Sequence, residues 1–242
     1  MLPGSALMFV HSLQAAITAG VLVDWVVSFR NVFRKVRLGT AYGGWTIPRD
    51  AVTADSICYC VGCGEDISFD LELIRRYSCR VYGFDPTPRS IAYVRGLTQG
   101  IGKYIFSEYG VWDKTDTVRF YAPRDGEHVS HSITNLQSTD SYIEVRTKRL
   151  QDILRDFGHK HLALLKLDIE GAETAVIQTI LDDKLAVDTL LVEFDELAFP
   201  SRGRLARIRA SIRALFRDGY DLFSVAGSNF TFVRAPDGRA PD

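Results

Sequence analysis

Two runs of this chain carry chemically capable side chains at the ends of apolar segments. Leu162-Ala163-Leu164-Leu165-Lys166-Leu167 leads into Asp168-Ile169-Glu170-Gly171-Ala172-Glu173, and Ile57-Cys58-Tyr59-Cys60-Val61 leads into Gly62-Cys63-Gly64. An open α/β sheet builds its ligand crevice at the carboxyl ends of its strands. Glycines there let a ligand approach the backbone at a helix N-terminus, so Gly62 and Gly64 point to a nucleotide-like cofactor. A tight strand-to-helix turn also needs glycine on structural grounds alone. The third glycine of a dinucleotide fingerprint falls on Ile67, which weakens a nicotinamide reading.

Carboxylates at three strand ends extend this pattern. Asp85 follows the glycines by about twenty residues, at the end of the next strand, where an acid can accept hydrogen bonds from both ribose hydroxyls. Its structural alternative is an acid that favours the dipole of the following helix. Asp168 ends the central apolar strand and can hold a substrate hydroxyl, a metal or the amino group of a cofactor. Glu170 and Glu173 are accounted for by the helix dipole. Glu193, Asp195 and Glu196 end the next strand; parallel pairing would set Glu193 beside Asp168, raising a pKa or recruiting Mg²⁺ or Mn²⁺. His131 is a candidate general base in a polar loop, weighed against an ordinary surface histidine.

The elements that must position these residues alternate along the chain. Strands are expected at Ile57 to Val61, Arg80 to Asp85, Lys103 to Ser107, Ala163 to Leu167 and Thr189 to Phe194, with helical spacing between them. Thr87-Pro88 supplies a helix start, and Leu205, Ile208, Ile212 and Leu215 mark one face of a helix that ends at Gly219. The opposite face carries Arg202, Arg204, Arg207, Arg209, Arg213 and Arg217, a solvated basic stripe by default. Tyr220 to Val225 and Asn229 to Arg234 are separated by only Ala226-Gly227-Ser228, too few residues for a helical crossover, so the last strand returns antiparallel. Thr117 to Tyr121 and Ile143 to Thr147 are extra strands, and the polar stretch 124–141 between them is a candidate substrate lid.

With 242 residues and no polar interior linker, the chain reads as one sizeable α/β domain at residues 53–234, behind an N-terminal helical segment at 1–52 and before a disordered tail at 235–242. A net charge of −1 leaves no electrostatic footprint for nucleic acid. Cys58, Cys60 and Cys63 sit in or just after one strand and cannot readily pair, which favours a reducing, cytoplasmic compartment. Their spacing lacks the partners of a zinc site, so burial as small apolar side chains is the expected use.

The apolar run from Leu7 to Phe29 has no basic segment before it and Arg30, Arg34, Lys35 and Arg37 after it. A cleaved signal peptide fits poorly. A membrane helix would be long enough and would keep the domain cytoplasmic, but Asp24 is costly in lipid, so an amphipathic helix packed on the domain or a partner is preferred.

Taken together, these residues resemble the class I S-adenosylmethionine-dependent methyltransferases, and among them the FkbM-type family, from roughly Thr53 to Val233. The likeness is most specific at Leu164 to Glu173, with support from Gly83-Phe84-Asp85-Pro86-Thr87-Pro88 and Gly110-Val111-Trp112-Asp113-Lys114-Thr115. It implies a Rossmann-like, mostly parallel seven-stranded sheet with an antiparallel last strand and helices on both faces. It also implies that Gly62 and Gly64 line the methionine and ribose end of S-adenosylmethionine, that Asp85 binds the ribose, and that Val111 and Trp112 lie near the adenine. Asp168 would face the methyl-transfer centre. The family's first motif opens on an acid and carries Asn and a further Gly; Cys60, Gly64 and Asp66 stand in those places here, with Asp66 as the compensating acid. The activity implied is methyl transfer to a hydroxyl of a sugar, glycan or glycosylated natural product. The rival readings are a non-catalytic interaction protein on a degenerate methyltransferase fold and a nicotinamide-dependent oxidoreductase.

Overall fold

The computed structural model describes residues 35–124, 131–199 and 202–234. Strands β1 (Lys35–Leu38) and β2 (Trp45–Pro48) form an antiparallel hairpin. Seven strands make the main sheet: β3 (Ile57–Val61), β4 (Arg80–Phe84), β5 (Tyr104–Ser107), β9 (His161–Leu167), β10 (Ala186–Glu193), β11 (Tyr220–Ala226) and β12 (Asn229–Arg234). The numbers between belong to a small sheet of β6 (Gly110–Trp112), β7 (Asp116–Tyr121) and β8 (Tyr142–Arg149), in which β8 is central. The α-helices are α1 (Ser68–Tyr77), α2 (Pro88–Thr98), α3 (Leu150–Phe157), α4 (Glu173–Asp182) and α5 (Arg204–Arg217), and a short 3-10 helix spans Asp195–Leu197.

The main sheet runs β11-β12-β10-β9-β3-β4-β5. β5, β4, β3, β9 and β10 pair in parallel, and β12 is antiparallel to both its neighbours. This is the expected class I methyltransferase architecture, antiparallel end included. The chain leaves β3 towards β5 on one side and returns to β9 and β10 on the other, so the order reverses between β3 and β9. That reversal is where an open α/β sheet leaves a crevice at its strand ends.

Each central strand is buried on both faces because alternate side chains feed two separate cores. Tyr59 and Val61 of β3 pack with Ile153, Val176, Ile177, Ile208, Ile212 and Leu215 from α3, α4 and α5. Cys58 and Cys60 face the other way, towards Phe69 and Leu73 of α1, Val94 of α2, and Leu38, Trp45 and Ile47 of the hairpin. All four cysteines are buried free thiols. Full burial of Trp45 and Ile47, at roughly 1.5–3 kcal/mol for an ordinary large apolar side chain, makes the hairpin part of the domain.

This corrects the expected helical segment at 1–52, whose described part forms strands rather than a helix. Val36, Leu38, Trp45 and Ile47 alternate with polar neighbours, and three glycines in the turn, Gly39, Gly43 and Gly44, suit a hairpin. The run 7–29 and the tail 235–242 lie outside the described residues. Among the described residues, no helix is long and apolar enough to cross a membrane.

Candidate active site

The turn after β3 is shaped by a close approach. Gly62 has φ +80°, and a Cβ there would lie 1.7 Å from the carbonyl oxygen of Asp168, so only glycine lets β3 and β9 come this near at their ends. Asp168 N–H donates to Val61 O at 3.2 Å, which extends the ladder to the lip of the crevice.

Behind that lip lies a buried cation. Lys166 is only 4% exposed; its Nζ donates to Gly62 O at 2.9 Å and sits 2.9 Å from Asp168 Oδ2. Burial alone would lower its pKa, but Asp168 and Asp70 outweigh the burial and hold it above the ordinary lysine value. Asp70, fully buried on α1, is raised by desolvation and pulled down by Lys166. Its Oδ2 accepts from the Tyr104 hydroxyl at 2.9 Å, and that hydroxyl lies 3.6 Å from Cys63 Sγ. A polar chain therefore runs from α1 through β5 to the glycine turn.

Asp85 is buried beneath the same turn. Its Oδ2 accepts from the N–H groups of Cys63 and Gly64, both at 3.0 Å, and its Oδ1 accepts from the Thr87 N–H at 2.9 Å and hydroxyl at 2.7 Å. Four donors match the capacity of a carboxylate. Asp66 acts in a similar way one turn further on: Oδ1 accepts from Ser68 N–H at 2.8 Å and Oδ2 from the Thr40 hydroxyl. Burial would raise Asp66, and these bonds outweigh it and hold its carboxyl below the usual range.

On the far side of Asp168 the acids crowd together. One carboxylate oxygen from each of Asp168, Glu193 and Asp195 lies within 4.8 Å of the others. Burial, then the charge of Asp168, pushes Glu193 up to about 7, although the Ser228 hydroxyl donates to it at 2.8 Å. Asp195 Oδ2 accepts from Glu170 N–H at 2.8 Å, and its carboxyl is raised by burial and by Glu173. Lys166 already supplies positive charge to Asp168, so a divalent cation on this trio would compete with the ammonium and displace a proton from Glu193.

These elements enclose a cleft of 410 Å³, inside the range of about 300–1,000 Å³ usual for small-molecule sites. Its lining has an apolar wall of Val61, Phe84, Val111, Phe120 and Ile169 and a polar side of Glu65, Asp66, Asp85, Asp168 and Glu170, with Gly62, Cys63 and Gly64 between them. Tyr42 and Gly43 from the hairpin turn and His131 from the polar loop complete the rim.

The family model described as the methyltransferase FkbM domain matches residues 57–221, which takes in β3 through the start of β11. The chain belongs to that family. A search of curated proteins returns no significant match. Among solved structures, an rRNA methylase from Streptococcus thermophilus is 10% identical over 76% of this chain and 87% of that one, with a TM-score of 0.40. Fibrillarin from Aeropyrum pernix, solved with natively bound S-adenosyl-L-methionine, is 10% identical over 86% and 84%, with a TM-score of 0.43. Monomeric WbdD is 11% identical over 74% of this chain and 36% of its own, with a TM-score of 0.40. The family assignment does not rest on these distant likenesses.

Within this FkbM domain the cleft brings together Gly62, Gly64, Asp66, Asp85, Val111, His131 and Asp168. Trp112 is not among the lining residues; it is partly buried against the core, because the side chains of β6 alternate and Val111 takes the inward position. Glu193 stands behind Asp168 rather than in the lining. Asp85 lines the cleft as expected of a ligand-side acid, while both its carboxylate oxygens also accept hydrogen bonds from the turn. The helix whose dipole is expected to account for both Glu170 and Glu173 begins only at Glu173, since Glu170 and Gly171 adopt φ +54° and +93° in a tight turn.

The residues 131–141 of the candidate lid are fastened down. Ser132 pairs with Tyr121, its hydroxyl donates to Glu170 O at 2.6 Å, and Thr139 Oγ1 donates to Ala122 O at 2.5 Å. His128 lies outside the described residues. The sequence pattern by itself assigns no role to Lys166 or Asp70. A single lysine inside an apolar strand was the available signal for Lys166, because a buried ammonium demands a carboxylate partner.

Proposed function

We propose that this protein is an S-adenosylmethionine-dependent methyltransferase that methylates a hydroxyl oxygen of a sugar, glycan or glycosylated acceptor. The observation that carries the reading is the cleft at the β3/β9 reversal of an FkbM domain, with Asp168 at its lip and held by Lys166. The donor set suits the cofactor: an apolar wall for a purine, carboxylates for ammonium, sulfonium and hydroxyl groups, and a glycine turn that admits close backbone approach.

S-adenosylmethionine supplies, when bound, a methyl group already activated on a sulfonium, so the protein has to align an acceptor oxygen and take up its proton. Val111 and Phe84 would face the adenine. Gly62 and Gly64 would lie along the methionine and ribose end, stiffened from below by Asp85. Asp168, fixed through one oxygen by Lys166, would orient the acceptor hydroxyl and receive its proton, with His131 of the same lining as the second candidate base.

One observation favours the rival, a non-catalytic chain on this fold: Asp85 is already engaged by four donors. Calorimetry with S-adenosylmethionine separates the two readings. Binding heat with the parent, together with an Asp168→Asn variant that binds normally but turns over at least about a hundredfold more slowly on a hydroxylated acceptor, supports the enzyme. No binding heat supports the rival, and full turnover by the Asn variant removes Asp168 from catalysis.

A further inference from the structure

Tyr42 is 89% exposed, the most exposed large apolar side chain among the described residues, yet it lies on the rim of the cleft. An aromatic ring held in water is informative when its carrier is rigid, and this one is. Gly39 N–H donates to Glu72 Oε2 at 2.8 Å, Thr40 N–H to Ser68 Oγ at 2.9 Å, and Gly43 N–H to Thr40 Oγ1 at 2.9 Å. Arg37 donates to the carbonyls of Thr40 and Ala41. A Cβ on Gly43 would meet the Asp66 carboxyl at 2.6 Å, so the turn is seated directly on the loop that leads into α1.

The charge around this ring is one-sided. Partial desolvation, followed by the negative charges of Asp168, Glu170, Glu193 and Asp195, raises the Tyr42 phenol above its ordinary value. Glu65 is paired with Arg89, and Lys166, the one lysine among the described lining residues, is paired with Asp168. The mouth therefore offers a flat apolar ring beside hydrogen-bond-accepting carboxylates, in a field that disfavours anions.

We propose that Tyr42 is the platform on which a sugar ring of the acceptor stacks, and that this ring is neutral or carries an amino group rather than a phosphate or carboxylate. A pyranose presents a C–H face to an aromatic ring and a rim of hydroxyls to carboxylates, and both partners stand at this mouth. The proposal rests on the methyltransferase reading and deepens it by naming the acceptor class. Because the turn is already ordered, stacking on Tyr42 costs little conformational freedom.

Saturation-transfer NMR with the purified full chain tests it, using methyl glucoside, glucosamine, glucuronate and glucose 6-phosphate as probes with S-adenosylmethionine present. Methyl glucoside and glucosamine should bind more tightly than the two anions, and Tyr42→Ala should weaken them about tenfold, the scale of one lost ring contact. Tyr42→Trp should retain binding, and both variants should match the parent in cofactor affinity by calorimetry. Equal sugar binding by Tyr42→Ala, anions bound as tightly as methyl glucoside, or no sugar bound by a parent that binds the cofactor would each overturn the proposal. Sugar binding that depends on Tyr42 in a protein with no cofactor heat would sink the enzyme reading alone.

Discussion

Replacing Glu173 by Gln probes a proton that the fold holds beside its cleft. Glu173 is 1% exposed, and its Oε1 accepts from Gly171 N–H at 2.9 Å and Ile169 N–H at 3.2 Å. Its Oε2 is buried with no N–H or O–H partner among the described residues, and its carboxyl contacts that of Asp195. Two buried carboxyls in contact share one proton, because both cannot ionise. Burial pushes Glu173 up to about 8, against the pull of Asp195 and the backbone amides. The folded pair thus keeps about one proton that the unfolded chain releases above the ordinary value of 4.5. A raised acid pKa makes stability fall as pH rises between those two values, by up to about 1.4 kcal/mol per pH unit.

From pH 6 to pH 8 this amounts to a loss of roughly 2 kcal/mol in the parent. In Glu173→Gln the amide NH₂ donates to Asp195 at every pH, and Oε1 keeps its two backbone bonds. If the variant matches the parent at pH 6, it should exceed it by roughly 2 kcal/mol at pH 8, with the contribution of Glu193 cancelling in the difference. Urea unfolding of both proteins at several pH values measures this directly. Parallel pH profiles, or a variant less stable at pH 8, would refute the shared proton.

Asp85→Ala should lower stability without any ligand by about 2–4 kcal/mol, since it strands the N–H groups of Cys63, Gly64 and Thr87; unchanged thermal unfolding of the apo-protein would show that the turn holds itself. Lys166→Met should cost about 3–5 kcal/mol in denaturant unfolding, because buried Asp70 and the lip carboxylate Asp168 lose their shared counter-charge. If Lys166 supplies the positive charge at the acid trio, EDTA should leave methyl transfer unchanged; inhibition reversed by Mg²⁺ or Mn²⁺ would instead place a cation on Asp168, Glu193 and Asp195.

The seven-stranded sheet, its antiparallel end and the positions of Gly62, Asp85 and Asp168 at strand ends were legible in the sequence. Each is encoded locally: period-two and period-3.6 spacing, glycines after a strand, and a connection too short for a crossover. The resemblance of Leu164 to Glu173 to the FkbM family suggested the chemistry, and the family match bears out the family itself. What local pattern cannot contain is which donors reach an acid from elsewhere in the chain. Asp85 looked identical on paper as a ribose ligand and as a scaffold, and only the folded turn assigned its four bonds. Lys166, Asp70 and Tyr104 are separated widely along the chain and meet through strand pairing and helix packing. The hairpin that carries Tyr42 to the cleft has its alternation in the sequence, but its short strands gain their stability from the core they cover, and that core exists only once the tertiary structure has formed.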